Sequence, residues 1–377
     1  MRVAVNTRLL IKNKMDGIGR YAFEILKRVT QNNPTVEFHF IFDRQYNSDE
    51  FLFSKNIIPH VLKPKTRHPI LWYIWLEIQL PCLLRKIQPD IFFSPDGFLP
   101  RYNTCPSITT IHDINFEHRP KDLRWSHSLF YRTYFKKYAQ LSNHIITVSN
   151  YSKQDIAKTY NINVNKISVV YNGVSEKFNK TNYTEQIKIK QKYSQNQDFF
   201  IFIGSLHKRK NLKNLLLAFN DYKVLKGKYK LIIIGEEKWI DHNTKKIYQN
   251  LLFKEDVIFL GRVEDSELFS ILSAAKALCF VSLFEGFGLP IIEAMRASIP
   301  VIASNTSAMP EICNNASRLV NPYNIADISK SLLEIEKNPK YRLELIKKGD
   351  QRVKDFNWDK SAIEIWKIIE STLKKCT

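Results

Sequence analysis

Acidic residues and cysteines are scarce in this 377-residue sequence, and it has no long hydrophobic run. Asp and Glu number 37 against 57 Lys and Arg, which leaves a formal net charge of +20. Residues 1–180 hold 26 basic and 14 acidic side chains, net +12, and the rest 31 and 23, net +8. Such an excess fits an anionic partner: nucleic acid, an anionic membrane face or a phosphorylated substrate. It fits a lysine-rich composition with no such partner equally well. Cys82, Cys105, Cys279, Cys313 and Cys376 are odd in number, far apart and without a C-x-x-C pair. A disulfide framework or a zinc site is therefore not expected, and a reducing compartment is. The opening MRVAVNTRLL runs straight into polar residues, so no signal peptide and a cytoplasmic location are expected. Asn-x-Ser/Thr triplets at Asn150, Asn182, Asn305 and Asn315 are accordingly not read as glycosylation sites. The longest apolar stretch, Pro69–Leu84, falls short of the ~20 residues of a spanning helix and is broken by Glu77, Gln79 and Pro81. A buried or interfacial helix is expected there.

What is present is globular. Apolar residues at 44% and charged residues at 25% exclude disorder, and the length suits two domains of ~100–200 residues. Short β-branched and aromatic runs alternate with segments of helical period. In the front half the strand candidates are Arg2–Asn6, Val36–Phe42, Asp90–Ser94, Ser107–Ile111, His144–Ser149 and Ile167–Tyr171. Apolar residues at i, i+3 and i+4 mark helices over Arg20–Gln31 and Ser128–Leu141. After a polar stretch, Lys177–Asp198, the pattern restarts with Phe199–Gly204, Lys230–Gly235, Val257–Gly261, Ala277–Ser282 and Pro300–Ser304. Strands apolar on both faces and separated by helices predict parallel sheets covered on both sides. The expected fold class is α/β, with doubly wound Rossmann-like domains over 1–175 and 176–355 and a linker around 173–196. A tail over 356–377 holds a further helix, Lys360–Lys375. Open sheets of this kind bind ligands beyond the carboxyl ends of their strands, so a cleft between the domains is the expected site.

The string SLFEGFGLPIIEAM, Ser282–Met295, carries the strongest signal. It follows a strand candidate and opens a helix near Pro290, a residue suited to a first helical turn. Gly286 and Gly288 bare the backbone, so N–H groups and the helix N-terminus can face an anion such as a diphosphate. Glu285 and Glu293 flank this turn and can address different parts of one elongated ligand. A Gly-rich turn with a solvated Glu at each end is the plainer reading of such a string taken alone. Arg209 and Lys210 follow the strand Phe199–Gly204, where a cation pair can neutralise a diphosphate leaving group. A solvated surface turn is the plainer alternative; with either role the pair is expected to be replaceable with little effect on the folded state. Gly17 and Gly19 form D-G-I-G ahead of a helix expected to start near Arg20. His112 and Asp113 end a strand toward the same cleft, although a lone His is more often structural than catalytic. The segment Arg119–Ala139 interleaves Trp125, Phe130, Tyr131, Tyr134, Phe135 and Tyr138 with cations. It suits an anionic membrane surface, single-stranded nucleic acid, or a helix that packs its aromatics inward.

A Glu, seven residues and another Glu, as at Glu285 and Glu293, resembles the signature of retaining glycosyltransferases of family 4, which have the two-domain GT-B fold. The resemblance covers nearly the whole chain. MDGIGRYAFEI (Met15–Ile25), TIHDI (Thr110–Ile114), Thr147–Ile156, Val169–Phe178, IGSLHKRKNL (Ile203–Leu212), Leu260–Leu268 and Ala297–Ile312 are similar to the family's motifs. It implies that Arg209 and Lys210 bind the donor phosphates and stabilise the departing nucleotide. It further implies that Glu285 holds hydroxyls of the transferred sugar and Glu293 those of the ribose. Gly286, Phe287, Gly288 and Leu289 would line the donor, Val263 would contact the base, and Gly17 and Gly19 would form the opposite wall. His112 would contact the donor sugar near the reacting carbon. Where the family often has Arg after the strand glycine, this sequence has Ser205 in the donor site, so the cationic work falls on Arg209 and Lys210.

No Asp-x-Asp pair and no evident sugar nucleophile occur, which suits the family's metal-independent, front-face transfer. No cofactor and no metal are expected. The donor would be a nucleotide-diphosphate sugar, GDP-mannose or a UDP-hexose, and the acceptor a glycan or lipid-linked glycan in cell-surface polysaccharide or lipopolysaccharide biosynthesis. An anionic membrane surface at the inner face of the cell membrane is a further expected partner, and nucleic acid is not. The alternatives are another GT-B enzyme, such as a sugar-nucleotide epimerase, and a basic nucleic-acid- or membrane-binding module with a vestigial site.

Overall fold

The apolar runs become two all-parallel sheets, each in its own part of the chain. The computed structural model describes residues 1–12, 15–237 and 240–376. One unit joins residues 1–173 to 357–377, and the other spans 174–356. The first contains β1 (Arg2–Asn6), β2 (Glu37–Phe42), β3 (Ile57–Val61), β4 (Ile91–Ser94), β5 (Ser107–Thr110), β6 (His144–Thr147) and β7 (Ile167–Val169). Their spatial order is β3-β2-β1-β4-β5-β6-β7, so the direction of building reverses between β1 and β4. The second contains β8 (Phe199–Ile203), β9 (Lys230–Ile234), β10 (Val257–Gly261), β11 (Ala277–Phe280), β12 (Val301–Ser304) and β13 (Arg318–Val320). Here the order is β10-β9-β8-β11-β12-β13, with the reversal between β8 and β11. Central strands are buried on both faces, as their unbroken apolar sequences require: all five residues of β8 and all four of β11 lie in the interior.

Two strands lack a counterpart in the sequence pattern, and both are edge strands. β3 contains Pro59, which has no N–H for a ladder and is tolerated only where one side is unpaired. β13 is three residues long and buries only Val320 fully. The polar stretch expected to be a linker instead holds a helix, Tyr183–Ser194, within the second unit. Asn182 caps it by accepting from the Glu185 amide at 2.9 Å, and Lys192 pairs with Glu267 at 2.8 Å. Only Ser194 of this helix is fully buried, so no apolar stripe marks it in the sequence.

The stretch beginning at Pro69 is a helix buried along one face, with a defect. Helix Pro69–Ile74 passes through a π-helical turn, Trp75–Gln79, into helix Leu80–Ile87. Pro81 has no N–H and would crowd the carbonyl four residues back, at Glu77. The wider turn, in which the Leu80 amide reaches the Trp75 carbonyl, relieves that clash. Trp75, Leu76, Leu80 and Leu84 are buried, and among the described residues no helix is long and apolar enough to cross a membrane. The terminal helix, Trp358–Cys376, belongs to the first unit. Arg28 donates to Asp359 at 2.6 Å, and Trp366 packs against Phe38 with ring centroids 6.1 Å apart.

Candidate active site

In a parallel sheet every carboxyl end lies on one edge, and the crevice where building direction reverses is open to a ligand. In the second unit that point lies between β8 and β11. Arg209 and Lys210 follow β8, Glu285 follows β11, and the three meet there. Lys210 Nζ donates to Glu285 Oε1 at 2.6 Å, and Arg209 Nη1 donates to Glu285 Oε2 at 2.8 Å and to the Phe284 carbonyl at 3.1 Å. The short 3-10 turn Lys208–Lys210 is ended by Asn211 at φ +61°, whose Nδ2 donates to the carbonyls of Val281 and Pro322 at 3.0 and 2.8 Å. The Leu283 amide donates to the Arg209 carbonyl at 2.7 Å, tying the two loops together. Lys210 is therefore no surface residue: it is 8% exposed, with its ammonium 4.9 Å from the centre of the Phe280 ring. That overturns, for Lys210, the expectation that the folded state would hardly notice its replacement.

Burial alone would raise the Glu285 carboxyl, but the charges and hydrogen bonds of Arg209 and Lys210 outweigh it and hold the pKa down at about 2. Glu285 is thus ionised at neutral pH, one carboxylate against two cations. A depressed carboxyl favours the folded state above its unfolded pKa of ~4.3, and the contribution is lost as pH falls toward the folded value. A shift of this size corresponds to about 3 kcal/mol. Glu285→Gln removes the linkage, so the wild type's lead over it in urea midpoint should shrink as pH falls from about 5 to about 2. A lead that stays constant over that range would contradict the assignment.

The glycine-rich turn continues from Glu285. Gly288 adopts φ +102° just before helix Leu289–Arg296, with Pro290 in the first turn. A Cβ there would stand 2.9 Å from Ile291 Cδ1 and 3.2 Å from Phe280 Cε1, so only glycine fits without strain. Gly286 is buried, and Phe287 packs edge to face on Phe356 with centroids 5.6 Å apart. Glu293 lies further along the helix, 8% exposed. Ser205 follows β8 and Val263 follows β10, both half-buried. Apart from Glu293, in the middle of its helix, these residues occupy the loops or helix start that follow the carboxyl ends of the second sheet's strands. Sequence reasoning gave Glu285 and the cation pair separate tasks, whereas the structure joins them in one ion-paired cluster.

The first unit shows a comparable crevice between β1 and β4. Asn6 Nδ2 donates to Ser94 Oγ at 3.1 Å and to Asp96 Oδ1 at 2.9 Å, and Arg8 Nε donates to Asp96 Oδ2 at 2.6 Å. The Arg8 guanidinium lies 3.9 Å from the centre of the Phe98 ring. Sequence reasoning passed over these buried residues. Their signal was positional: N-T-R begins on the last residue of β1, and S-P-D-G on the last residue of β4. His112, two residues past β5, donates from Nε2 to the Pro95 carbonyl at 2.9 Å. Burial lowers its pKa although that carbonyl and the Asp113, Asp96 and Asp16 carboxylates oppose the shift. The imidazole is neutral at pH 7, with its proton on Nε2 and its lone pair on Nδ1. Gly17 and Gly19 open the helix Gly17–Asn32, which starts three residues before Arg20 because Asp16 caps it by accepting from the Gly19 amide at 2.9 Å.

Residues 15–178 match the family model Glycosyltransferase Family 4, and residues 184–352 match Glycosyl transferases group 1. The chain belongs to this glycosyltransferase family. O-antigen chain mannosyltransferase B of Escherichia coli is 27% identical to this glycosyltransferase over 368 residues, 93% of this chain and 94% of that one. O-antigen chain mannosyltransferase RfbU of Salmonella typhimurium is 28% identical over 287 residues, 75% and 76% of the two chains. The crystal structure of Anabaena HepE in complex with UDP and glucose aligns with a TM-score of 0.76 at 15% identity, over 98% of this chain and 100% of that one. The likeness is one of fold, GT-B. Among the described residues of the glycosyltransferase, no group of three or more His, Cys, Asp and Glu is placed to hold a metal ion.

Proposed function

We propose that this glycosyltransferase moves a hexose, with retention at the anomeric carbon and without a metal ion, from a nucleotide-diphosphate sugar to a glycan or lipid-linked glycan of cell-surface polysaccharide. The Arg209–Lys210–Glu285 cluster carries the reading. Two cations against one carboxylate leave a positive site at a strand-end crevice, which suits a diphosphate. An arriving diphosphate takes over hydrogen bonds from Arg209 and Lys210, and the Glu285 carboxylate then accepts from sugar hydroxyls. As the anomeric C–O bond breaks, charge grows on the leaving diphosphate, and the two cations stabilise it more strongly than in the ground state. The acceptor hydroxyl adds from the face the leaving group departs, and its proton passes to a donor phosphate oxygen. His112, neutral and with Nδ1 as acceptor, holds a hydroxyl of the transferred sugar; Glu293 holds the ribose. The mannosyltransferase relatives favour GDP-mannose as donor, with UDP-hexoses next, and O-antigen as the class of acceptor. A lipid-linked acceptor puts the enzyme at the inner face of the cell membrane.

The test is transfer from labelled GDP-mannose or UDP-hexose to membrane-extracted lipid-linked acceptor, with and without excess EDTA. Transfer should persist under chelation, and the product should keep the donor's anomeric configuration by NMR. Activity lost to EDTA and restored by Mg²⁺ or Mn²⁺ would overturn the metal-free reading. An inverted product would overturn retention, and release of an epimerised nucleotide sugar without acceptor would favour an epimerase.

A further inference from the structure

The helix Trp125–Leu141 has two unlike faces. Inward, Phe130, Tyr131, Phe135 and Tyr138 pack into a cluster with Trp72, Phe98 and Phe116. The core accounts for these aromatics, so most of the aromatic-basic interleaving in the sequence needs no ligand. The outward face is different. Residues 125, 129, 132 and 136 follow at steps of four, three and four, which lines them up along one stripe. That stripe reads Trp, Leu, Arg, Lys. Trp125 is 78% exposed and Leu129 59%, and Arg132, Lys136 and the preceding Arg124 are exposed too. The helix itself has no Asp or Glu; nearby, Glu117 pairs with Arg132 at 3.4 Å and Asp122 with Arg119. The adjoining helix Pro69–Ile74 packs on the other side, with Trp72 against His127, Phe130 and Tyr131, and takes no part in this stripe.

We infer that this face docks the protein on an anionic lipid surface, with Trp125 and Leu129 entering the interface and Arg124 and Lys136 meeting headgroup phosphates. A solvated helix face does not normally carry a Trp and a Leu one turn apart at such exposure beside unpaired-sign cations. Single-stranded nucleic acid requires rings on which successive bases stack, and beyond Trp125 the stripe offers none. A bilayer interface accepts indole and aliphatic side chains alike, and cations of one sign add to the attraction. Each cation near the anionic surface contributes about fivefold in partitioning, and added salt weakens it. The inference rests on the lipid-linked acceptor only for its purpose; binding is read without donor or acceptor, so its failure and a failure of transfer are separate results.

The test is flotation of the full chain with phosphatidylcholine vesicles, with and without phosphatidylglycerol. Wild type should float with the phosphatidylglycerol vesicles alone and be released by high salt. Trp125→Ser with Leu129→Ser should lower partitioning at least about tenfold. Arg124→Glu with Lys136→Glu should lower it about 25-fold or more. Both variants should keep the wild-type melting temperature and circular dichroism spectrum, which excludes misfolding as the cause. Vesicle binding that ignores phosphatidylglycerol, or variants that float like wild type, would overturn the inference. So would a dimer that Trp125→Ser converts to monomer, or tighter binding to oligo(dT) than to vesicles.

Discussion

Lys210→Ala should lower turnover by about 10²–10³-fold at saturating donor, and Arg209→Ala by a similar factor. Both donors aim at one place, the charge that grows on the departing diphosphate, so the double variant should lose less than the product of the singles. Arg209→Lys should rescue only in part, because a flexible point charge does not reproduce a planar fork. Stability should separate the two positions. Lys210 is buried against Phe280 and Glu285, so its loss leaves a buried carboxylate short of a partner and should cost about 3 kcal/mol. Arg209 is 24% exposed at its side chain and should cost less. Turnover is compared well below the variants' melting temperatures, and urea midpoints give the stabilities. Two single variants that both turn over like wild type with the same donor would reduce the cluster to a structural ion pair.

Gly173→Ala should be among the most damaging small changes in the first unit. A Cβ at that position would lie 2.2 Å from the Trp358 backbone nitrogen, 2.5 Å from Trp358 Cγ and 2.8 Å from the Asn357 carbonyl carbon. Two of those neighbours are backbone, which cannot rotate away. Trp358 opens the terminal helix and packs against Tyr21, whose ring meets His112 edge-on with centroids 4.6 Å apart. Tyr21 also shares a 3.1 Å hydrogen bond with Thr110 at the end of β5. Displacing Trp358 therefore disturbs the packing behind His112 as well as the helix. A loss of roughly 3 kcal/mol, or about 6–12 °C in Tm, is expected by calorimetry. An unchanged Tm would mean that Gly173 and the terminal helix do not pack as described.

The core strands were legible because strands buried on both faces have no polar positions to blur them. β8 reads FFIFI, and β9 reads LIII after its opening Lys230. The edges were not legible. β3 carries a proline and two half-buried positions, β13 has three residues, and neither presents a run long enough to register. Tyr183–Ser194 was missed for the opposite reason: it is held by its Asn182 cap and by ion pairs rather than by an apolar stripe. At the site, Arg209, Lys210 and Glu285 could each be picked out by type and by position after a strand. Their mutual pairing could not, because strand order decides which loops meet, and order is not written in any one segment. Asn6, Arg8 and Asp96 escaped on the same ground: they are unremarkable in sequence and meet only because β1 and β4 are neighbours.

The claim that Arg209, Lys210 and Glu285 receive a nucleotide-diphosphate sugar is tested most directly by thermal shift over a set of nucleotide sugars, run on wild type and on Lys210→Ala. A ligand at 100 times its dissociation constant adds ~2.7 kcal/mol, which for a unit of this size is roughly 5–10 °C. GDP-mannose, or failing that a UDP-hexose, should produce such a shift in wild type, and Lys210→Ala should lose most of it at the same concentration. Wild type that no nucleotide sugar stabilises, or a Lys210→Ala variant that keeps the full shift, would contradict the assignment of the donor diphosphate to this cluster.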